Sequence, residues 1–575
     1  PLEKKDGVYN SLKIFGNYNC RQAGVLIVAD HGVYLTYRYI AGRLITFVHI
    51  SLLLAVFAGT AYGAPENVAD LPVEKAIPAT DQDLQFQRPI ELQASDSLLE
   101  WRKAGNQGYS QLALFDLDPS PEFGESSTPV LSRETGAGKS YLIPALEIPA
   151  FVILLNVFDR LAFPNKMKEG RKAYSTNLST TWDHLRRQNW HFDKDSFEVN
   201  QFGHPYEGAT MYGLARSSGL NFWQSFIYSH AGSFLWEMAG ETSRPSTNDI
   251  ITTGNAGSLL GEALFRMAGL VLEEGGDKPR GRQEFAAALL SPPTAFNRYA
   301  FGDRFKAAFP SHKPATLWQL MVGANVDVHS TNLSPEASSH NANVIADFSM
   351  SYGLPGKPGY TYRRPLDYFD FQLAMRARTS NPLEAVTVRG LLIGTDYHAG
   401  SDYRGIWGLY GSYDYLSPHL YRVSSTAVSL GTTGQYRIAP GIALQGSLLG
   451  GIGFGVAGTE TEEPDGRIYH YGATPQGLVA MRLLFGGRMM LDLTGRGYYI
   501  SGSSMDQVVW RGNAGLTFRV SGNHGVAIRY IESLRDTKNN AQATRHLSEG
   551  TLSLVYTYLS DKKLGAVEWR EAADR

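Results

Sequence analysis

Phe369-Asp370-Phe371-Gln372-Leu373-Ala374-Met375-Arg376 changes from apolar to polar at almost every step. Successive side chains of a strand point to opposite faces, so Phe369, Phe371, Leu373 and Met375 share one face and Asp370, Gln372, Ala374 and Arg376 the other. The period returns downstream. Met489, Leu491 and Leu493 alternate with Met490, Asp492, Thr494 and Arg496, and Trp510, Ala514, Leu516, Phe518 and Val520 with Arg511, Asn513, Thr517 and Arg519. Leu552, Leu554, Tyr556 and Tyr558 close the series. A soluble sandwich alternates in the same way, but arginines and aspartates in mid-strand suit a wet lumen. Aromatic pairs near strand ends, Tyr413-Asp414-Tyr415 and Tyr498-Tyr499, suit interfacial girdles. About twelve such segments follow residue 314, an even number, as closure of bacterial barrels favours, and lipid tolerates no open sheet edge. The expected fold is α+β, mainly β: a C-terminal transmembrane antiparallel β-barrel of about 12 strands, preceded by a small helical module.

Composition narrows the function classes. The 575 residues hold 53 Lys+Arg against 55 Asp+Glu, a formal net charge of -2, which argues against nucleic acid as a partner. Glycine (60) and tyrosine (31) are abundant, as tightly turned, aromatic-girdled strands require. The single cysteine, Cys20, lies upstream of the expected cleavage point, so a disulfide framework or a Cys-based zinc site is not expected.

Arg43-Leu44, the apolar run to Gly59 and Ala61-Tyr62-Gly63 before Ala64-Pro65 have the basic start, short apolar core and small residues of a secretory signal. Residues 43–63 are therefore read as a cleaved signal peptide and 1–42 as upstream translated sequence. The destination is the outer membrane of the cell. Residues 64–140, rich in Pro, Ser, Glu and Asp, read as a partly disordered periplasmic linker. Within it Gly136-Ala137-Gly138-Lys139-Ser140 resembles the end of a phosphate loop, but Arg133 stands where that pattern needs glycine. The helical module is assigned to 141–313, the barrel to 314–561 and a tail to 562–575. Residues 141–165 look too short to span a bilayer, and Pro149 suggests a helix start.

Three helices are expected over about Glu207–Ser217, Phe222–Gly240 and from Pro245 onward. Ser246 caps the third, with Asp249 bonding back in the manner of a capping box. Gly254, Gly257 and Gly261 place small residues near one face, where another backbone can approach. The blocks Val199-Asn200-Gln201-Phe202-Gly203-His204-Pro205-Tyr206-Glu207-Gly208, Trp236-Glu237 with Glu241, Pro245-Ser246-Thr247-Asn248-Asp249 and Gly261-Glu262 together resemble the uncharacterised Gram-negative envelope family DUF3943, over about residues 141–275. The resemblance implies an envelope protein with a strand-rich C-terminal part, and no established activity.

Polar side chains of the helical module are the first candidates for chemistry. His204, His230, Glu237, Glu241 and Asp249 are the catalytic candidates. A hydrolase of envelope lipid, or an acyl-transfer enzyme, would use His204 or His230 as base and Ser229, Ser233 or Ser246 as nucleophile. No Glu-x-x-His or His-Glu-x-x-His spacing appears, so no metal is assigned, and no cofactor. The competing reading is structural: Arg216, Ser246, Asn248 and Glu262 fix helix packing, and Glu237 and Glu241 pair with Arg216, Arg244 or Arg266. In the barrel, Arg376, Arg496, Arg511 and Arg519 are expected to line the lumen. The favoured function is an outer-membrane barrel, structural or passing small or lipidic molecules, with the helices as plug or periplasmic cap. A scaffold for envelope assembly is the further alternative. Expected partners are outer-membrane lipid and the barrel-assembly machinery.

Overall fold

The computed structural model describes residues 130–187, 189–193, 195–276, 278–330, 343–377, 381–418, 420–458, 469–502, 505–539 and 545–569. The expected upstream sequence, the signal peptide and the linker up to residue 129 lie outside the described residues.

Twelve strands form one closed sheet. They are β1 (Thr316–Ser330), β2 (Asn343–Tyr352), β3 (Phe369–Arg376), β4 (Leu383–Ala399), β5 (Tyr403–Leu416) and β6 (Arg422–Ala439), then β7 (Ile442–Gly458), β8 (Tyr469–Phe485), β9 (Met489–Ile500), β10 (Met505–Ser521), β11 (His524–Asn539) and β12 (Arg545–Leu559). Each pairs antiparallel with its neighbours, and β12 pairs back onto β1. Closure leaves the sheet without an open edge.

Contacts between strands distant around the ring identify the inward face. Arg496 Nη1 on β9 meets Asp414 Oδ1 on β5 at 3.3 Å, and Arg511 Nη2 on β10 meets Glu384 Oε1 on β4 at 2.6 Å. Arg529 Nη1 on β11 meets Asp347 Oδ2 on β2 at 2.9 Å. These pairs cross the interior. Among the described residues, protein packs into both mouths. After β12 the chain folds inward: Gln435 and Gln445 donate to the carbonyls of Val567 and Gly565, and Leu564 and Val567 pack on Leu317, Leu354 and Leu484. At the opposite mouth Leu420 and Tyr421 of the β5–β6 connection pack among Val423, Tyr498, Ile500, Val509 and Leu547. Between them lie cavities of about 180 and 80 Å³ lined by the inward polar residues.

The outward face divides in two. Leu430, Leu448, Ile452, Trp510, Ile528 and Leu554 are exposed, an apolar band over β6, β7 and β10–β12. On β2–β5 the outward Phe348, Tyr352, Phe369, Phe371, Val388, Tyr413 and Tyr415 are buried. The helical module accounts for much of that burial, because it packs on the outside of the wall. Tyr413 Oη donates to the Gln201 carbonyl at 2.6 Å, Tyr415 meets Phe197 and Phe202, and Phe192 meets Phe454 and Tyr471. This corrects the expected plug or cap. Tyr413 and Tyr415, read as girdle aromatics, form the seam instead.

The module comprises α1 (Leu142–Ala162), α2 (Leu178–Arg187), α3 (His204–Ser217), α4 (Phe222–Ala239), α5 (Thr247–Ile251), α6 (Gly257–Glu273), α7 (Gly281–Leu290) and α8 (Pro292–Ala300). A π turn, Val199–Gly203, leads into α3, and another, Thr252–Ala256, joins α5 to α6. The α3–α6 crossing needs glycine. A Cβ on Gly257 would lie 2.7 Å from Gly208 Cα, and one on Gly208 would lie 1.9 Å from the Thr253 oxygen. The helix expected to start near Pro149 runs instead from Leu142, with Pro149 inside it, and its 21 residues are long and apolar enough to cross a membrane, against the expectation that 141–165 is too short. In the supposed phosphate loop, Ser140 Oγ accepts the N–H of Ile143 at 3.2 Å and serves the start of α1.

Candidate functional site

Three helix ends carry three of the four motif blocks, and the fold brings them together. His204 opens α3, Glu237 lies in the last turn of α4 with Glu241 just beyond, and Asn248 and Asp249 open α5. All five are buried. His204 Nδ1 lies 3.4 Å from Glu207 Oε2, and Nε2 lies 3.6 Å from Asp249 Oδ2. Asn248 Nδ2 donates to Asp249 Oδ1 at 2.8 Å and to Asp193 Oδ1 at 3.0 Å, and Asn200 donates to the same Asp193 oxygen. Lys168 Nζ joins Glu241 at 2.6 Å, Asp193 at 3.2 Å and Asp195 at 3.3 Å. Asn200 also donates to Tyr469 Oη on the outward face of β8, at 2.9 Å, so the network reaches the barrel wall.

Burial and neighbouring charges together set the protonation pattern. It would lower His204, but Asp249 and Glu207 outweigh it and hold the imidazole cationic, its pKa raised well above the usual value. Burial pushes Asp249 up to about 7 against the pull of His204. Burial, with Asp249 and Glu241 beside it, raises Glu237 well above the carboxylate range. Burial also acts on Glu241, but Lys168 overcomes it and holds that carboxyl at about 2.

The cap differs from expectation in one partner. Ser246 Oγ accepts the N–H of Asp249 at 3.3 Å as expected, but Glu237 Oε2, from α4, accepts the N–H of Ser246 at 2.6 Å. A neighbouring helix therefore completes the capping pair and ties α4 to α5. The arginine pairings also differ. Glu241 takes Lys168, and Arg244 takes Glu169. Arg216 and Arg266 both take Glu262, each at 2.8 Å. Glu262 also accepts from Tyr212 Oη at 2.8 Å, and Arg266 continues to Asp367, in the β2–β3 connection, at 2.9 Å. This second network, Arg216–Glu262–Arg266–Asp367, is a second tie between module and barrel. Its helical members Arg216, Glu262 and Arg266 are candidates for packing and pairing on the sequence, but Asp367 lies 101 residues from Arg266, and no local spacing marks it.

His230 stays outside both networks. Its Nδ1 pairs with the Phe226 carbonyl at 2.9 Å, and its ring fills the space over Gly254. The serines considered as nucleophiles give their protons elsewhere: Ser229 to the Gly208 carbonyl, Ser233 to that of Asp249, and Ser246 to Asn248 Oδ1. The arrangement is one of ion pairs and helix ends, and among the described residues none of these serines bonds His204 or His230 as acyl transfer would use. Among the described residues no group of three His, Cys, Asp or Glu is set to hold a metal ion.

The four barrel arginines face inward and are engaged. Arg376 and Arg511 share Glu384, and Arg496 takes Asp414. Arg519 donates to the carbonyls of Asp561 and Lys562 in the folded-back chain end.

No curated protein matches the chain. Among solved structures, the outer membrane channel DcaP of Acinetobacter baumannii is similar at 7% identity over 42% of this chain and 96% of its own, with a TM-score of 0.21. The anion-selective porin from Comamonas acidovorans is similar at 10% identity over 43% and 100%, with a TM-score of 0.19. The Pseudomonas putida toluene transporter TodX is similar at 9% identity over 44% and 91%, with a TM-score of 0.18. Residues 189–293 match the family model of DUF3943, a domain of unknown function, and the members of both networks from Asp193 to Arg266 lie inside that match.

Proposed function

We propose that the chain is an outer-membrane β-barrel whose work is structural and lies on its outer wall, where it holds the DUF3943 segment, rather than through its lumen. The observation that carries this reading is the pairing of two faces. Inward, Arg496–Asp414, Arg511–Glu384 and Arg529–Asp347 join separated strands across the interior, and described residues pack into each mouth. Outward, the helical segment is fastened by buried polar and aromatic contacts. A closed sheet with a polar interior and an exposed apolar band suits lipid, since its strands pair all the way round and leave no open edge. On this reading the partners are outer-membrane lipid and, during insertion, the barrel-assembly machinery. Passage of anions is disfavoured because the inward arginines already hold carboxylates or carbonyls. Reconstitution into planar bilayers tests the proposal: the full chain is expected to give no steady unitary current. Reproducible single-channel steps from the unmodified protein would overturn it.

A further inference from the structure

The module places a long apolar helix on its free side. Along α1 the buried positions Pro144, Ile148, Val152 and Asn156 recur every four residues, so one stripe faces the protein. Ile148 and Val152 pack on Met211, Leu214 and Trp236, and Asn156 Nδ2 donates to the carbonyls of Tyr174 and Gly240 at 3.0 and 2.7 Å. The opposite stripe, with Leu146, Ile153, Leu154, Val157, Phe158 and Leu161, is exposed. Glu147 is the one charged residue from Leu142 to Phe158, and it is partly buried, turned toward Asn297. Soluble proteins rarely leave so large an apolar face uncovered. The helix has 21 residues, about 31 Å at 1.5 Å per residue, close to the thickness of a bilayer's hydrocarbon core.

We infer that the exposed face of α1 contacts the acyl chains of the outer membrane beside the barrel, so that the chain meets lipid with a helix as well as with strands. The inference rests on the outer-membrane reading above. Continuity identifies lipid as the occupant. The module is fastened to the outward face of the same wall whose remaining strands expose Leu430, Leu448 and Ile452, so a bilayer around that band would also surround the module. Its polar networks are compatible with that position because they are buried inside it.

Single cysteines at Leu154→Cys, Leu448→Cys and Ser447→Cys, in a Cys20→Ser background, carry a fluorophore in phosphatidylcholine vesicles containing an acyl-chain nitroxide quencher. Leu154 and Leu448 are exposed, so the label needs no repacking, and Val157→Cys serves as a second α1 position. The expected result is loss of fluorescence at Leu154 and Val157 comparable to that at Leu448, with little loss at the inward Ser447. Quenching at Leu448 without quenching on α1 would overturn the inference and leave the barrel reading standing. Absence of quenching at Leu448 itself would overturn the barrel reading, and this inference with it.

Discussion

Replacing Arg266 with methionine tests the docking of the module most directly. The Arg266 side chain is fully buried. Its guanidinium bonds Glu262 and Asp367 and donates to the Pro365 carbonyl at 2.6 Å, and it lies over the Phe309 and Tyr352 rings. Methionine keeps much of the volume and removes the charge. Removing one partner of a buried ion pair costs about 3–5 kcal/mol. Both acids keep other partners, which sets the loss near the lower end. Glu262 retains Arg216 and Tyr212, and Asp367 retains Arg364 Nε at 3.1 Å and the N–H groups of Arg363 and Arg364 at 3.0 and 2.7 Å. The expected cost is about 3 kcal/mol, expressed as release of the module while the strand ladder stays intact. Denaturant titration in micelles, read by protease cutting within residues 189–293 and by electrophoretic mobility of the folded barrel, separates the two events. Combined with Asp367→Asn, the losses should fall short of additive by about 1 kcal/mol or more. Additivity within about 0.5 kcal/mol, or simultaneous collapse of barrel and module, would refute the reasoning.

Two further outcomes follow from the geometry. Gly257→Leu drives side-chain atoms into the Gly208 backbone and should lower stability by about 1–3 kcal/mol or more, with Gly257→Ala falling between, as thermal midpoints in micelles would report. Glu237 has a raised pKa in the folded chain, so its contribution is fully present below the unfolded value of about 4.3 and is lost as pH rises toward the folded one. Glu237→Gln keeps an oxygen for the Ser246 N–H, and it should flatten the loss of stability from pH 5 to pH 8 in denaturant titrations. An unchanged slope would mean that Glu237 is ionised throughout.

The sequence by itself determined the strands and which residues share a face. A period of two over Phe369–Arg376 or Met489–Arg496 has only one extended solution that separates apolar from polar residues, and closure of the ring then turned the polar face inward. It also marked the close α3–α6 crossing, because glycine is the residue without a Cβ, and the Ser246 cap, because that bond is local. What covers the outward face was a tertiary decision. Lipid and packed helices are both apolar, so Phe369 and Phe371 under protein carry the same pattern as Leu448 and Ile452 left exposed. The ion-pair partners were likewise beyond local reading. Lys168 with Glu241 and Arg266 with Asp367 are long-range choices made by whichever charges folding buries together, since an unpaired buried charge is too costly to keep. Pro149 argued for a helix start, yet the stripe of Ile148, Val152 and Asn156 against α3, α4 and the Tyr174 and Gly240 carbonyls holds one helix through it, because packing over several turns outweighs a single missing backbone bond.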